Sequence, residues 1–266
     1  MLTDDEIDRF IAEGFVVARQ AIPAAILEVC RAELDLELRR AGVDIEDPTT
    51  WIEPIVRFSC PNTPTFASAG TQPVLWQIYD QLLGPGRHIE RHAVGGSVPV
   101  RFPSDSDPGD AGWHIDSSFP IGDTWGVNYR SMGRGLLCLF LFSDIGVNDA
   151  PTEIKVGSHL HVPRTLEPMG EAGGSYDVKQ TDAFEAIAQL PSALATGQAG
   201  DVYVCHPFLV HRATWPHRGS QPRFIAQPGI DIKQPFELTG AETAFPVERA
   251  IPDGLTKASP RPGNNR

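Results

Sequence analysis

Apolar and polar positions along this chain follow a helical period at its start and a mostly short, strand-like period afterwards. Ile7, Phe10 and Ile11 recur at helical spacing behind Thr3 and Glu6. Thr3 and Glu6 fit a capping box, in which a hydroxyl and a carboxylate each satisfy a backbone N–H left open at a helix start. Gly14 is a natural stop, and residues 15–18 read as a short strand. Pro23 opens a second helix with Ile26, Leu27, Cys30, Leu34 and Leu38 on one face, ending near Gly42. From Trp51 onward, short apolar segments are separated by Gly, Pro and Asp turns. Strands are predicted over residues 55–58, 88–92, 97–102, 113–116, 135–143, 201–205 and 224–226, with helices over 74–83 and 182–190. Many short strands at irregular spacing predict a mainly β sandwich or barrel. No repeat or linker divides the chain, so residues 1–266 read as one domain. Its parts are a helical region over 1–45 packed outside, a β-rich core over 50–250 and a disordered tail over 257–266.

Composition narrows the function classes. A hydrophobic content of 41% in 266 residues is enough for a substantial core, and 25 Gly and 24 Pro fit a loop-rich β body. The net charge of −12 argues against nucleic acid, which selects basic patches, and gives no support for an anionic membrane surface. The longest apolar run, residues 136–142, is too short to span a bilayer. The acidic opening MLTDDEIDRF does not read as a secretory leader, so a cytoplasmic location is expected. Cys30, Cys60, Cys138 and Cys205 are scattered without paired spacing, which predicts reduced, mostly buried thiols and no zinc site.

The candidate chemistry starts at WHIDSS. On a strand, residues i and i+2 face the same way, so His114 and Asp116 aim an imidazole and a carboxylate at one point. Two histidines and one carboxylate on one face of a metal are the ligand set of non-haem Fe(II) oxygenases. Chance alone supplies roughly half a His-x-Asp match in such a chain, so the pair needs support. Residues 200–228 hold His206, His211 and His217, and Arg223 in the apolar setting PRFIA. A charge there is costly unless paired, and a buried diacid held by a bidentate fork is such a partner. His211 stands as far before Arg223 as His206 stands before Arg218. Pro207 next to His206 and the turn-like HRGSQP around Arg218 favour His211 and leave His206 as the rival. His217 reads as a solvated turn histidine, and His159 and His161 as structural or substrate-facing.

These segments resemble the phytanoyl-CoA dioxygenase family of Fe(II)- and 2-oxoglutarate-dependent oxygenases. The likeness runs through LTDDEIDRFIAEGFVVARQAIP, WHIDSS, APTEIKVGSH and GDVYVCHPFLVH with its later RF, in that order. It implies a double-stranded β-helix, the cupin-like jelly roll, with a metal between its sheets. It implies His114, Asp116 and His211 as the catalytic iron ligands and Arg223 as the anchor of 2-oxoglutarate. It implies oxidation of a small-molecule substrate by dioxygen, usually hydroxylation, with release of succinate and CO2. The carboxylate of Asp116 disfavours halogenation, for which relatives carry a small residue there. Two departures stand out: Val156 where proline is common, and Ala213 where a small hydroxyl residue helps hold the co-substrate. A second co-substrate contact must then come from Arg101 or Arg57. Trp113, Phe119 and Phe208 line the substrate pocket in this reading, or else belong to the core. Residues 121–134 read as a lid, and Arg101, Arg130 and Arg134 as a basic patch or solvated surface. The competing readings are a cupin-like metal enzyme without 2-oxoglutarate and a non-catalytic jelly-roll binding protein.

Overall fold

Thr3 caps helix α1 (Asp4–Glu13) with the predicted box: its hydroxyl accepts from Glu6 N, and the Glu6 carboxylate accepts from Thr3 N. Gly14 closes the helix in the left-handed conformation (φ 90°), where a Cβ would stand 2.5 Å from the His159 ring. Strand β1 (Phe15–Ala18) follows, then α2 (Ala24–Arg40), which buries Cys30, Leu34 and Leu38. The computed structural model describes residues 1–238 and 245–256. The tail predicted to be disordered lies outside the described residues.

The remaining elements in chain order are β2 (Ile55–Ser59), α3 (Pro64–Gly70), α4 (Pro73–Leu83), β3 (Ser97–Arg101), β4 (Phe119–Ile121), β5 (Thr124–Gly126), β6 (Leu136–Leu141) and β7 (Glu153–Lys155). They continue with α5 (Pro163–Leu166), α6 (Phe184–Gln189), β8 (Ser192–Leu194), β9 (Val202–Cys205), β10 (His211–Arg212), β11 (Ile225–Ala226), β12 (Gly229–Ile230) and α7 (Pro246–Thr256).

Two antiparallel sheets position the chemistry. The larger runs β1-β9-β6-β11, with β12 also on β6. Single bridges Ser97↔Gln227 and Arg101↔Arg223 join it to the β2-β3 pair. The smaller runs β10-β7-β8, and the bridge His114↔His211 adds the WHIDSS segment beside β10. Strand β6 is buried at every position, which its unbroken LLCLFL run dictates for a central strand covered on both faces. Helix α1 packs on β1, and α7 packs on α1, α4 and α5. Pro252 inside α7 hides that helix from pattern reading. All four cysteines are buried and unpaired, as predicted.

Two predicted strands are not strands. Residues 88–92 contribute only the bridge His88↔Ile232, because the charged run HIERH has no apolar alternation to bury. Residues 113–116 pair only at His114. The segment 121–134, read as a lid, begins in the β4-β5 hairpin and is packed against the body. Val127 and Gly174 exchange backbone hydrogen bonds, and buried Asn128 donates through Nδ2 to Glu171 O at 2.7 Å. Among the described residues, no helix is long and apolar enough to cross a membrane.

Candidate metal centre

His114 and His211 lie directly opposite each other in an antiparallel pair. Each donates its backbone N–H to the other's carbonyl at 3.0 Å. Directly paired residues put their side chains on the same face, and the two rings lie 4.4 Å apart, centroid to centroid. Asp116, two residues beyond His114, comes to that face as well. Its Oδ1 is 3.6 Å from His114 Nε2 and 3.9 Å from His211 Nε2. One ligand atom from each of His114, Asp116 and His211 falls within 4.8 Å of the others. Atoms sharing one cation through bonds of about 2.1 Å lie about 3 Å apart, so Asp116 Oδ1 would close on the two imidazoles by roughly 0.6–0.9 Å if a cation were held.

The imidazoles are oriented for this. His114 Nδ1 lies 2.7 Å from Gly112 O, and His211 Nδ1 lies 3.0 Å from Leu209 O. A proton on Nδ1 donated to these carbonyls leaves the Nε2 lone pairs free for a cation, an arrangement typical of metal-ligating histidines. Burial pushes the His211 imidazole below its usual range, with Asp116 opposing.

A cavity of about 220 Å³ opens beside the trio, lined by His114, His211, Thr152, Ala213, Gln227, Pro99 and the arginines Arg57, Arg101 and Arg223 with Asp110. That is below the roughly 300–1,000 Å³ of drug-sized pockets and suits a small ligand. Arg223 is 2% exposed. It donates through Nη1 to Ala150 O and, at 3.5 Å, through Nη2 to Pro99 O. Its Nε has no partner, and no carboxylate pairs with it among the described residues. Burial, and then the Arg101 charge, lower its pKa from 12.5 to about 9. Arg57 and Arg101 instead share Asp110, Arg57 at 2.6 Å.

The structure therefore gathers His114, His211, Arg223, Arg101 and Arg57 around one cavity, with Asp116 beside the two histidines. The predicted aromatic lining does not join them. Trp113, next to His114, is not among the cavity-lining residues, and its ring sits 4.4 Å from the Arg212 guanidinium carbon. Phe208 is fully buried in the core with its ring 5.4 Å from His206. Phe119 is buried and packs at Gly133 and Gly173. The rival His206 is a core residue: its Nε2 lies 3.1 Å from Val247 O in α7, and its Nδ1 accepts from Phe208 N. Burial pushes its pKa well down. His217 is buried rather than solvated, exchanging backbone hydrogen bonds with Ser104. His159 is buried with Nε2 3.0 Å from Ile11 O, a structural role. The basic patch dissolves, since Arg101 pairs with Asp110, Arg130 with Glu171 and Arg134 with Asp116.

Sequence reasoning missed Thr152 and Asp110. Thr152 directly precedes Glu153, which pairs with Arg212, and it lines the cavity together with Ala213, where the resembled family carries a small hydroxyl residue. Pairing across strands far apart in sequence leaves no local signal for that substitution.

No family model matches the sequence, and no curated protein matches it by sequence. Solved structures do. The non-haem α-ketoglutarate-dependent carbocyclase SnoK from nogalamycin biosynthesis superposes with a TM-score of 0.60 at 14% identity, covering 87% of this chain and 84% of its own. HygX from Streptomyces hygroscopicus, with nickel, 2-oxoglutarate and hygromycin B bound, gives 0.55 at 18% identity over 87% and 88%. The α-ketoglutarate-dependent epimerase SnoN gives 0.53 at 16% over 86% and 82%. What these similarities show is a shared fold: the chain has the fold of non-haem iron, 2-oxoglutarate-dependent enzymes, a wider group than the phytanoyl-CoA dioxygenase family in particular.

Proposed function

We propose that this protein is an Fe(II)- and 2-oxoglutarate-dependent dioxygenase of double-stranded β-helix fold that oxidises a small molecule and releases succinate and CO2. His114, Asp116 and His211 hold the iron, and Arg223 anchors the far carboxylate of 2-oxoglutarate. The observation that carries this reading is Arg223: a buried guanidinium with no salt-bridge partner among the described residues, lining the same small cavity as His114 and His211 of the His-Asp-His group. Burying an unpaired charge is costly, and a bidentate carboxylate from a diacid removes that cost. A cupin-like metal enzyme without 2-oxoglutarate leaves the guanidinium unexplained.

Each residue has a definable task. The two imidazoles present Nε2 because their Nδ1 atoms are bound to carbonyls. Asp116 supplies the anionic oxygen and occupies the position a halide would need, which favours oxidation over halogenation. The iron supplies dioxygen activation when bound. Thr152 and Arg101 supply the contact that a hydroxyl at Ala213 would otherwise make; both line the same cavity as Ala213. The net charge of −12 favours a neutral or cationic substrate. HygX, of the same fold, binds hygromycin B.

Incubation with Fe(II), ascorbate, 2-oxoglutarate and air is expected to release succinate slowly even without the substrate, and faster with it. Asp116→Ala is expected to abolish that release while keeping the wild-type circular dichroism spectrum. Undiminished succinate from the alanine variant rules the reading out.

A further inference from the structure

Asp116 has two carboxylate oxygens in different company. Oδ1 faces the histidines, while Oδ2 lies 3.3 Å from Arg134 Nη1, a charge pairing at ion-pair distance without a hydrogen bond, since that buried Nη1 has no hydrogen-bond partner among the described residues. Arg134 is not a stray surface cation, for its side chain is only 16% exposed. Its backbone is fixed by a tight turn: Arg134 N donates to Ser131 O, and Ser131 Oγ donates to Arg134 O at 2.7 Å. Ser131 is buried and holds a left-handed φ of 46°, a conformation that costs about 1 kcal/mol or more for a residue with a side chain. The next residue, Gly135, donates to Ile230 O at 2.7 Å, which ties the turn to β12. In β12, Gly229 makes the room. A Cβ there would stand 2.6 Å from Arg134 Nε and 3.4 Å from its Cζ. The Gly229 backbone is not in the left-handed region, so space for the guanidinium, rather than conformation, is what requires glycine.

We propose that Arg134 is a positioning residue for the metal's carboxylate ligand. Resting on the function proposed above, it holds Oδ2 of Asp116 away from the cation, so that this ligand occupies one coordination position through Oδ1. The position thus kept free is needed by a chelating co-substrate. Two consequences follow, and they have opposite signs. Removing Arg134 takes a positive charge from beside the cation and frees Oδ2 to bind, so metal affinity holds or rises. The same removal takes away attraction for a dianion and lets the carboxylate compete for its position, so 2-oxoglutarate affinity falls. A merely structural arginine would weaken both together.

The test uses the full chain and two probes. Mn(II) binding is measured from the free-ion electron paramagnetic resonance signal, and 2-oxoglutarate binding from the visible charge-transfer band of the anaerobic Fe(II) protein. Arg134→Met is expected to bind Mn(II) at least as tightly as wild type, while half-saturation by 2-oxoglutarate rises about tenfold or more, the scale usual for outer-shell partners. Gly229→Ala keeps the charge but pushes the guanidinium aside, and is expected to weaken 2-oxoglutarate in the same direction. Arg134→Lys is expected to recover part of the loss. Superimposable 2-oxoglutarate curves for wild type and Arg134→Met overturn the assignment, as does an equal loss for both probes. Absence of the band in the wild-type protein overturns the function proposed above, and this role with it.

Discussion

Replacing Arg223 with Met separates what the fold needs from what the ligand needs. The guanidinium is buried, and its pKa of about 9 keeps it charged at pH 7. A fall from 12.5 to about 9, caused by burial first and the Arg101 charge second, corresponds to roughly 5 kcal/mol. Its bonds to the Ala150 and Pro99 carbonyls are lost in the same substitution. A methionine of similar reach removes the charge and fills the space, so the ligand-free protein is expected to gain about 1–4 kcal/mol. At about 2–4 °C per kcal/mol, the melting temperature should rise by several degrees. Binding moves the other way. A buried charge-assisted pair is worth about 2–5 kcal/mol when one partner is truncated, so the Kd for 2-oxoglutarate should rise at least ~30-fold. The assay is thermal melting of both proteins with Mn(II), without and with 2-oxoglutarate. Wild type should be stabilised by the diacid, by about 2.7 kcal/mol at a hundredfold excess over Kd, and the variant should not. A variant that melts lower than wild type and still responds fully to 2-oxoglutarate refutes the reasoning.

Three further outcomes follow from other parts of the molecule. Burial pushes His88, His206 and His217 below their usual range, so below about pH 6.5 the unfolded chain takes up protons that the folded chain refuses. Stability should therefore fall as pH drops from 7 to 5, by about 1.4 kcal/mol per pH unit for each fully suppressed histidine; a urea midpoint that rises on acidification contradicts this. Asp201, 1% exposed, accepts from Gln20 N at 2.8 Å and pairs with Arg19 at 2.6 Å, so Asp201→Ala should cost about 3 kcal/mol in chemical denaturation. Thr3→Ala opens the capping box and should cost about 1 kcal/mol, detectable as a small lowering of the melting temperature.

The sequence was most readable where local chemistry decides the outcome. The capping box at Thr3 and Glu6, the strand at residues 15–18 and the apolar β6 each follow from neighbours within a few positions. The convergence of His114, Asp116 and His211 was legible for another reason, since alternation on one segment and a charged residue in an apolar one both leave marks in sequence. What failed was side-chain placement decided across the fold. Phe208 looks like a pocket aromatic beside His206, yet both belong to the core that α7 seals. Arg134 reads as one cation among three until Gly229, far along the chain, makes room for it beside Asp116. The helix at residues 246–256 was hidden by Pro252, although its Val247 carbonyl faces His206 and its Glu248 pairs with Arg87 at 2.7 Å.

The account stands or falls on whether one cation and one diacid meet between these strands. Anaerobic titration of the metal-free protein with Fe(II), followed by 2-oxoglutarate, tests this directly. The account predicts a weak visible charge-transfer absorption that saturates at one iron and one 2-oxoglutarate per chain and is lost in His211→Ala. A titration with no such absorption, or one unchanged in the His211→Ala variant, contradicts it.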